Sequence, residues 1–176
     1  MTHVTRSTGF VMAMLLSVGG AAVRAQPVAP VRVCAEWEPA LGTLISWPLG
    51  LPQSLVVELA RDDRLYVLVR TAAHEDQARA TLTAWGLDPA RVEYIRCNVG
   101  SVWPRDWGPH QIFDGNGQWG IVDPVFRGYP WVNTPCVPIT SPGGYTGDDT
   151  VPTSVATYFG APVYPLNAYL TGGNFL

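Results

Sequence analysis

Leu65-Tyr66-Val67-Leu68-Val69, bounded by Arg64 and Arg70, is the stretch on which the reading of the fold turns. A short apolar run of this kind, with no polar alternation, is typical of an interior strand covered on both faces. Working outward, the flanking segments read as its neighbours. Upstream, Pro52 suits the opening of a helix in which Leu55, Val56 and Leu59 share one face. Before it, Thr43-Leu44-Ile45-Ser46-Trp47 reads as a buried strand that stops at Pro48. Downstream, residues 75–85 predict a second helix: Ala78, Leu82 and Trp85 fall at i, i+4 and i+7, and Gly86 ends it. Residues 91–97 read as a third strand. The pattern strand–helix–strand–helix–strand is that of a mixed α/β chain.

The second half continues in that class. His110-Gln111-Ile112-Phe113 and Trp119-Gly120-Ile121-Val122 flank Asp114-Gly115-Asn116-Gly117-Gln118, which is dense in turn residues and predicts a hairpin. The same turn resembles a calcium loop but lacks the later acidic ligands, so the hairpin reading is preferred. Residues 123–150 form a long irregular stretch; a loop of that length in a compact domain is usually functional or mobile. Asp149 then suits a helix cap, with Pro152 in the first turn and Val151, Val155, Tyr158 and Phe159 on one face. Residues 162–166 read as a final strand.

Composition narrows the function. The 176 residues contain no Lys; all eleven basic residues are Arg, and the formal charge is −3. No basic stripe is present, which argues against nucleic-acid binding. Arg6 precedes an apolar run at residues 9–23 that is short for a membrane span, and Val23-Arg24-Ala25 ends in a small residue. Residues 1–25 therefore read as a signal peptide cleaved before Gln26, the competing reading being an uncleaved N-terminal anchor. No stable membrane insertion is expected later in the chain. Export to the periplasm or outside the cell favours oxidation of two of the three cysteines; Cys34 and Cys97 are the favoured pair, although spacing does not establish connectivity. Neither they nor Cys136 have metal-site spacing. Cys136, between two apolar neighbours, has no nearby base to make it a nucleophile. Residues 26–33 read as a Pro-rich lead-in, and residues 34–176 as one domain.

Three stretches carry the chemistry. In Trp103-Pro104-Arg105-Asp106-Trp107-Gly108-Pro109 a carboxylate lies beside flat apolar walls, an arrangement that suits a guanidinium. The bland alternative for Asp106 is a local pair with Arg105 or a turn cap, and one of Trp103 and Trp107 is expected to be core. In Ala35-Glu36-Trp37-Glu38-Pro39 the charges read as solvated, with one able to reach a site. Gly172-Gly173-Asn174 is either a place where backbone approaches a ligand or an ordinary tight turn. His110, directly after the Trp-rich stretch, either lines a pocket or is structural.

Taken together, these stretches resemble the guanidine-modifying deiminases of the bacterial (Porphyromonas-type) peptidylarginine deiminase and agmatine deiminase family. Residues 35–48 resemble that family's opening strand, residues 102–109 its Trp-x-Arg-Asp-x-Gly-Pro signature, and Gly172-Gly173-Asn174 its Gly-Gly-Asn/Ser segment. The resemblance implies a pentein-type α/β propeller of repeated ββαβ modules, present here as an incomplete ring. It implies hydrolysis of a guanidino group to a ureido group and ammonia, through attack of a Cys thiolate, a covalent thiouronium, two carboxylate clamps and a His. It implies no metal and no organic cofactor. Asp106 carries over as the first clamp, with Trp103 and Asn174 as pocket neighbours. The family's second carboxylate follows as a His-x-Asp and its nucleophile as a late Cys; no His-x-Asp follows Asp106 here. The chain is thus expected to be the N-terminal part of such an enzyme and inactive alone. The implied partner is an arginine-containing peptide or protein, or a small guanidino compound. Export and the wording of the hairpin favour peptide or protein arginine, with agmatine deimination in putrescine synthesis as the alternative. The family's peptidyl enzymes grip the peptide carboxylate with closely spaced Arg residues after the hairpin, where this chain offers Arg127 alone. A reading from another class is an exported, non-catalytic module whose Trp residues stack on sugars or peptides.

Overall fold

The computed structural model describes residues 26–126, 147–170 and 172. Its first layer follows from the central apolar run. Strands β2 (Thr43–Ser46), β3 (Leu65–Val69) and β4 (Val92–Arg96) form a parallel sheet in the order β2-β3-β4, with helices α1 (Gln53–Asp62) and α2 (Ala72–Ala84) as the crossovers. All five residues of β3 are buried. Leu65, Val67 and Val69 pack with Val56 and Ala60 of α1 and Ala78 and Leu82 of α2, while Tyr66 and Leu68 point to the opposite face. Side chains alternate across a strand, so a run apolar at every position needs cover on both sides.

Two sequence expectations shift, one by about a turn and the other by one residue. The second helix begins at Ala72, not residue 75, because Thr71 caps it: its hydroxyl accepts the His74 N–H at 3.1 Å. In α1 the buried stripe is Val56 and Ala60, whereas Leu55 is exposed.

A second sheet runs β1-β5-β6-β7, from β1 (Arg32–Val33), β5 (His110–Phe113), β6 (Trp119–Val125) and β7 (Val163–Tyr169). The hairpin expected at β5–β6 is present. Asp114 closes it, its Oδ1 accepting the Asn116 and Gln118 N–H groups at 2.9 Å each, and Gly117 adopts a positive φ of 74°. The segment 26–33 is more than a lead-in. Arg32 and Val33 pair antiparallel with Phe113 and Ile112, and the Gly115 N–H donates to the Val28 carbonyl. A hairpin edge leaves backbone groups unpaired, and the lead-in satisfies them.

Helix α4 (Val151–Phe159) carries the crossover from β6 to the parallel strand β7. Its buried residues Val151, Val155 and Ala156 enter one core with Leu68, Ile95 and Val99 of the first layer and Trp107, Ile121 and Phe126 of the second. Asp149 is not its cap: Thr150 holds that position without a side-chain capping bond, its hydroxyl donating instead to the Gly147 carbonyl at 2.7 Å, and Asp149 Oδ1 accepts the Phe126 N–H at 2.6 Å. Strand β7 extends past the expected residue 166. Most of the long irregular stretch, with Arg127 and Cys136, lies outside the described residues, as does the leader at 1–25.

Cys34 and Cys97 do not form the expected pair; both are free thiols. Cys34 follows β1 of the four-stranded sheet, while Cys97 follows β4 and is buried in the core beneath α4, so the two belong to different sheets. Among the described residues no helix is long and apolar enough to cross a membrane.

Candidate functional site

The stretch at 103–109 connects the two sheets. Pro104, whose missing N–H costs nothing in a first turn, opens a single helical turn, α3 (Pro104–Trp107). Trp107 anchors it: the indole is buried, and Nε1 donates to Ser101 Oγ at 2.9 Å. Gly108 ends it at a φ of 97°, where a side chain would be strained, and also lies against the His110 backbone. Thus Trp107 is the core member of the two tryptophans, while Trp103 stays largely exposed at the head of the turn.

The other two stretches meet this turn. Arg105 forms an ion pair with Glu36, not with Asp106. Gly172 lies so close that a methyl group there would overlap the Arg105 carbonyl oxygen and come to 3.2 Å from His110 Cε1. Residues separated by about seventy positions on either side are therefore held on one turn. The second acidic residue of the first stretch has a different task. Glu38 accepts from Arg32 Nη1 and from the Ala35 N–H, each at 2.8 Å, and the Arg32 bond holds its carboxyl below the usual range.

These elements wall a cleft of about 980 Å³. Glu36, Trp37, Arg105, His110 and Gly172 line it, together with an aromatic cluster of Tyr66, Trp119 and Phe159. The cluster is packed edge-on, with ring centroids 5.0 Å apart for Tyr66–Phe159 and 5.7 Å for Trp119–Phe159. Burial holds the His110 imidazole below its ordinary range, favouring the neutral ring. Cys34 also lines the cleft, and burial, with Glu38 adding to it, pushes its thiol up. Cys97 is pushed up to about 11, chiefly by burial.

Asp106 is half-buried on α3, with no side-chain hydrogen bond or ion pair among the described residues; its N–H donates to the Trp103 carbonyl. It belongs to the turn that walls the cleft, but its side chain, like that of Trp103, is not among the lining residues. Asn174 and Arg127 lie outside the described residues. His74-Glu75-Asp76 also spells His-x-Asp, but it opens α2 on the other face of the parallel sheet, where Glu75 is bound to Arg79 and Arg96. Among the described residues there is no metal-binding group of His, Cys, Asp or Glu.

Sequence reasoning missed Ser101 and Asp148, which are hydrogen-bonded to the turn and to the segment that leads into it. Asp148 is fully buried, and its Oδ1 accepts the N–H groups of Gly100 at 2.6 Å and Ser101 at 3.1 Å. Asp148 sits in a Pro/Gly-rich stretch with no periodicity, so nothing in its neighbours announced burial.

A sequence model of the Porphyromonas-type peptidyl-arginine deiminase family matches residues 32–176. The chain belongs to that family. Over 97 residues it is 32% identical to the "Putative agmatine deiminase" of Selenomonas ruminantium, a match that covers 48% of this chain and 25% of the relative. Among solved structures it is similar to the agmatine deiminase of Enterococcus faecalis, with a TM-score of 0.61 at 19% identity, over 81% of this chain and 40% of that one. It is likewise similar to the C. jejuni agmatine deiminase, with a TM-score of 0.57 at 16% identity, over 81% and 41% of the two chains. The fold is therefore that of the deiminases, whose family hydrolyses guanidino groups. The chain spans less than half the length of these relatives.

Proposed function

We propose that the protein carrying this chain hydrolyses the guanidino group of arginine in a peptide or protein to a ureido group, releasing ammonia. The observation that carries this reading is the convergence of the three family stretches on one turn: Glu36 on Arg105, and Gly172 on the Arg105 carbonyl and the His110 ring. Asp106, on that turn and unengaged by other described side chains, is the carboxylate proposed to take two parallel N–H bonds from the substrate guanidinium. Trp103 and Asn174 are proposed as its pocket neighbours and Arg127 as a contact to the peptide. The thiols of Cys34 and Cys97 are both held toward the protonated form, which suits neither to nucleophilic attack. The nucleophile, the second carboxylate and the His are proposed to come from other modules of the same propeller, of which this chain supplies an N-terminal, incomplete arc.

Residues 1–25 are proposed to export the protein, and an exported enzyme meets peptide arginine more readily than a cytosolic polyamine precursor. The second reading, agmatine deimination, is favoured by the names of the relatives. The test is ammonia release by the complete protein from an N-acyl-arginyl peptide and from agmatine. The peptide is expected to be the better substrate, and Asp106→Asn to lower kcat/KM by about 100-fold, as for loss of one partner of a charge-assisted pair. A preference for agmatine would install the second reading, and no ammonia from either substrate would remove both.

A further inference from the structure

Asp148 is a carboxylate with no exposed surface, a costly group to bury unless its bonds serve a purpose. It reaches back 47 and 48 residues to accept the N–H groups of Ser101 and Gly100. Ser101 in turn accepts the indole N–H of Trp107, the residue after Asp106 on the same single helical turn. The backbone beside this relay is closely packed. A methyl at Gly147 would overlap the Asn98 carbonyl oxygen, and Asn98 is tied to Arg70 Nε at 3.1 Å. Asp149, next in sequence, holds the Phe126 N–H at the end of β6. One acidic pair at the entrance to α4 thus holds both the segment after β4 that leads into the Asp106 turn and the end of β6.

We propose that Asp148 is a positioning residue for the turn that carries Asp106. The inference rests on the deiminase reading for its kinetic consequence, but its geometric consequence stands apart from it. The clasp sets residues 100–101, the Ser101 hydroxyl sets the Trp107 indole, and the indole sets the rotation of α3 and so the direction of the Asp106 carboxylate. A displacement of about 1 Å at a reacting group is enough to cost two orders of magnitude in rate.

The experiment uses the complete protein, with kinetics on an N-acyl-arginyl peptide and NMR of the Trp107 indole N–H. Asp148→Ala is expected to lower kcat/KM by about 10- to 100-fold, with most of the change in kcat, and to move the Trp107 resonance. Asp148→Asn keeps an oxygen that accepts both N–H bonds and is expected to stay within about threefold of wild type with the resonance in place. Ser101→Ala is expected to lose about tenfold and Ser101→Thr to recover it, and the Asp148→Ala/Ser101→Ala double variant to lose no more than Asp148→Ala alone. Leu68→Ala, destabilised elsewhere in the same core, is expected to keep its kcat/KM below its melting temperature. If Asp148→Ala does not fold, Ser101→Ala carries the test. Wild-type kcat/KM in folded Asp148→Ala or in Ser101→Ala overturns the proposal, as does a loss in Asp148→Asn equal to that of Asp148→Ala. If the wild-type protein releases no ammonia from any guanidino compound, the deiminase reading falls. The Trp107 resonance then decides: unmoved in both Asp148→Ala and Ser101→Ala, it overturns the positioning role as well.

Discussion

The two sheets of this chain are built on opposite terms. The parallel sheet β2-β3-β4 is covered by α1 and α2 on one face and by the core beneath α4 on the other, and none of its strands contains a proline. The sheet β1-β5-β6-β7 has both residues of β1 exposed, exposed Leu166 and Tyr169 in β7, and prolines at 124 and 165 within its strands. The candidate site sits on the connection between them. The difference teaches that stability and chemistry are largely divided: the parallel sheet supplies rigidity through burial and lends Tyr66 to the cleft, while the four-stranded sheet supplies the more open faces beside which the cleft forms.

The sharpest way to break that comparison is to remove one side chain from each sheet. Leu68→Ala, at a fully buried position of β3, is expected to destabilise by about 2–5 kcal/mol in urea denaturation. Leu166→Ala, on the exposed side of β7, is expected to cost no more than about 0.5 kcal/mol. Equal losses at the two positions would show that the sheets are not divided in this way. At the junction, Gly172→Ala places a methyl against the Arg105 carbonyl, a backbone atom that cannot swing aside. It is expected to cost about 1–3 kcal/mol by the same measurement and to reduce turnover in the complete protein.

The division also explains what could be read from the sequence. In the parallel sheet and its two helices each element announces itself: the apolar run 65–69, the spacing of Ala78 and Leu82, and Gly86 at a φ of 83° after α2. Local pattern and tertiary burial agree there because a doubly covered strand must be apolar throughout. Around the site the signals were of composition, and they located the stretches without their contacts. That Arg105 would choose Glu36 over Asp106 depends on two segments brought together by the fold. That Asp149 would bind the end of β6 instead of capping α4, or that residues 32 and 33 would join a sheet, depends on backbone groups left open by distant elements. Export alone argues for a Cys34–Cys97 pair, whereas both stay free thiols because they follow strands of different sheets.

His110, at the start of β5, sharpens the comparison through pH. Burial lowers its folded-state value below that of the unfolded chain. The unfolded state therefore binds a proton that the folded state refuses, and stability rises with pH across that window. The contribution of His110 is fully present above about pH 6.5 and is lost as pH falls from there toward the folded value. The slope cannot exceed about 1.4 kcal/mol per pH unit for one proton. Subtracting the unfolding curve of His110→Phe from that of the wild type between pH 5 and 7.5 isolates it; a flat difference would remove the assignment.

The smallest effect is expected at the contact that most plainly marks the site. Arg105 and Glu36 are each more than half exposed, so water screens their attraction and ordering two long side chains offsets much of it. Glu36→Gln is expected to change unfolding free energy by no more than about 1 kcal/mol, and less at high salt. Its effect on substrate affinity in the complete protein is expected to exceed that stability change, because the pair holds the wall of the cleft and not the core. If Glu36→Gln instead destabilised as strongly as Leu68→Ala, the four-stranded sheet would have to be counted as scaffold, and the division between rigid support and open site would fail at the point where the two sheets meet.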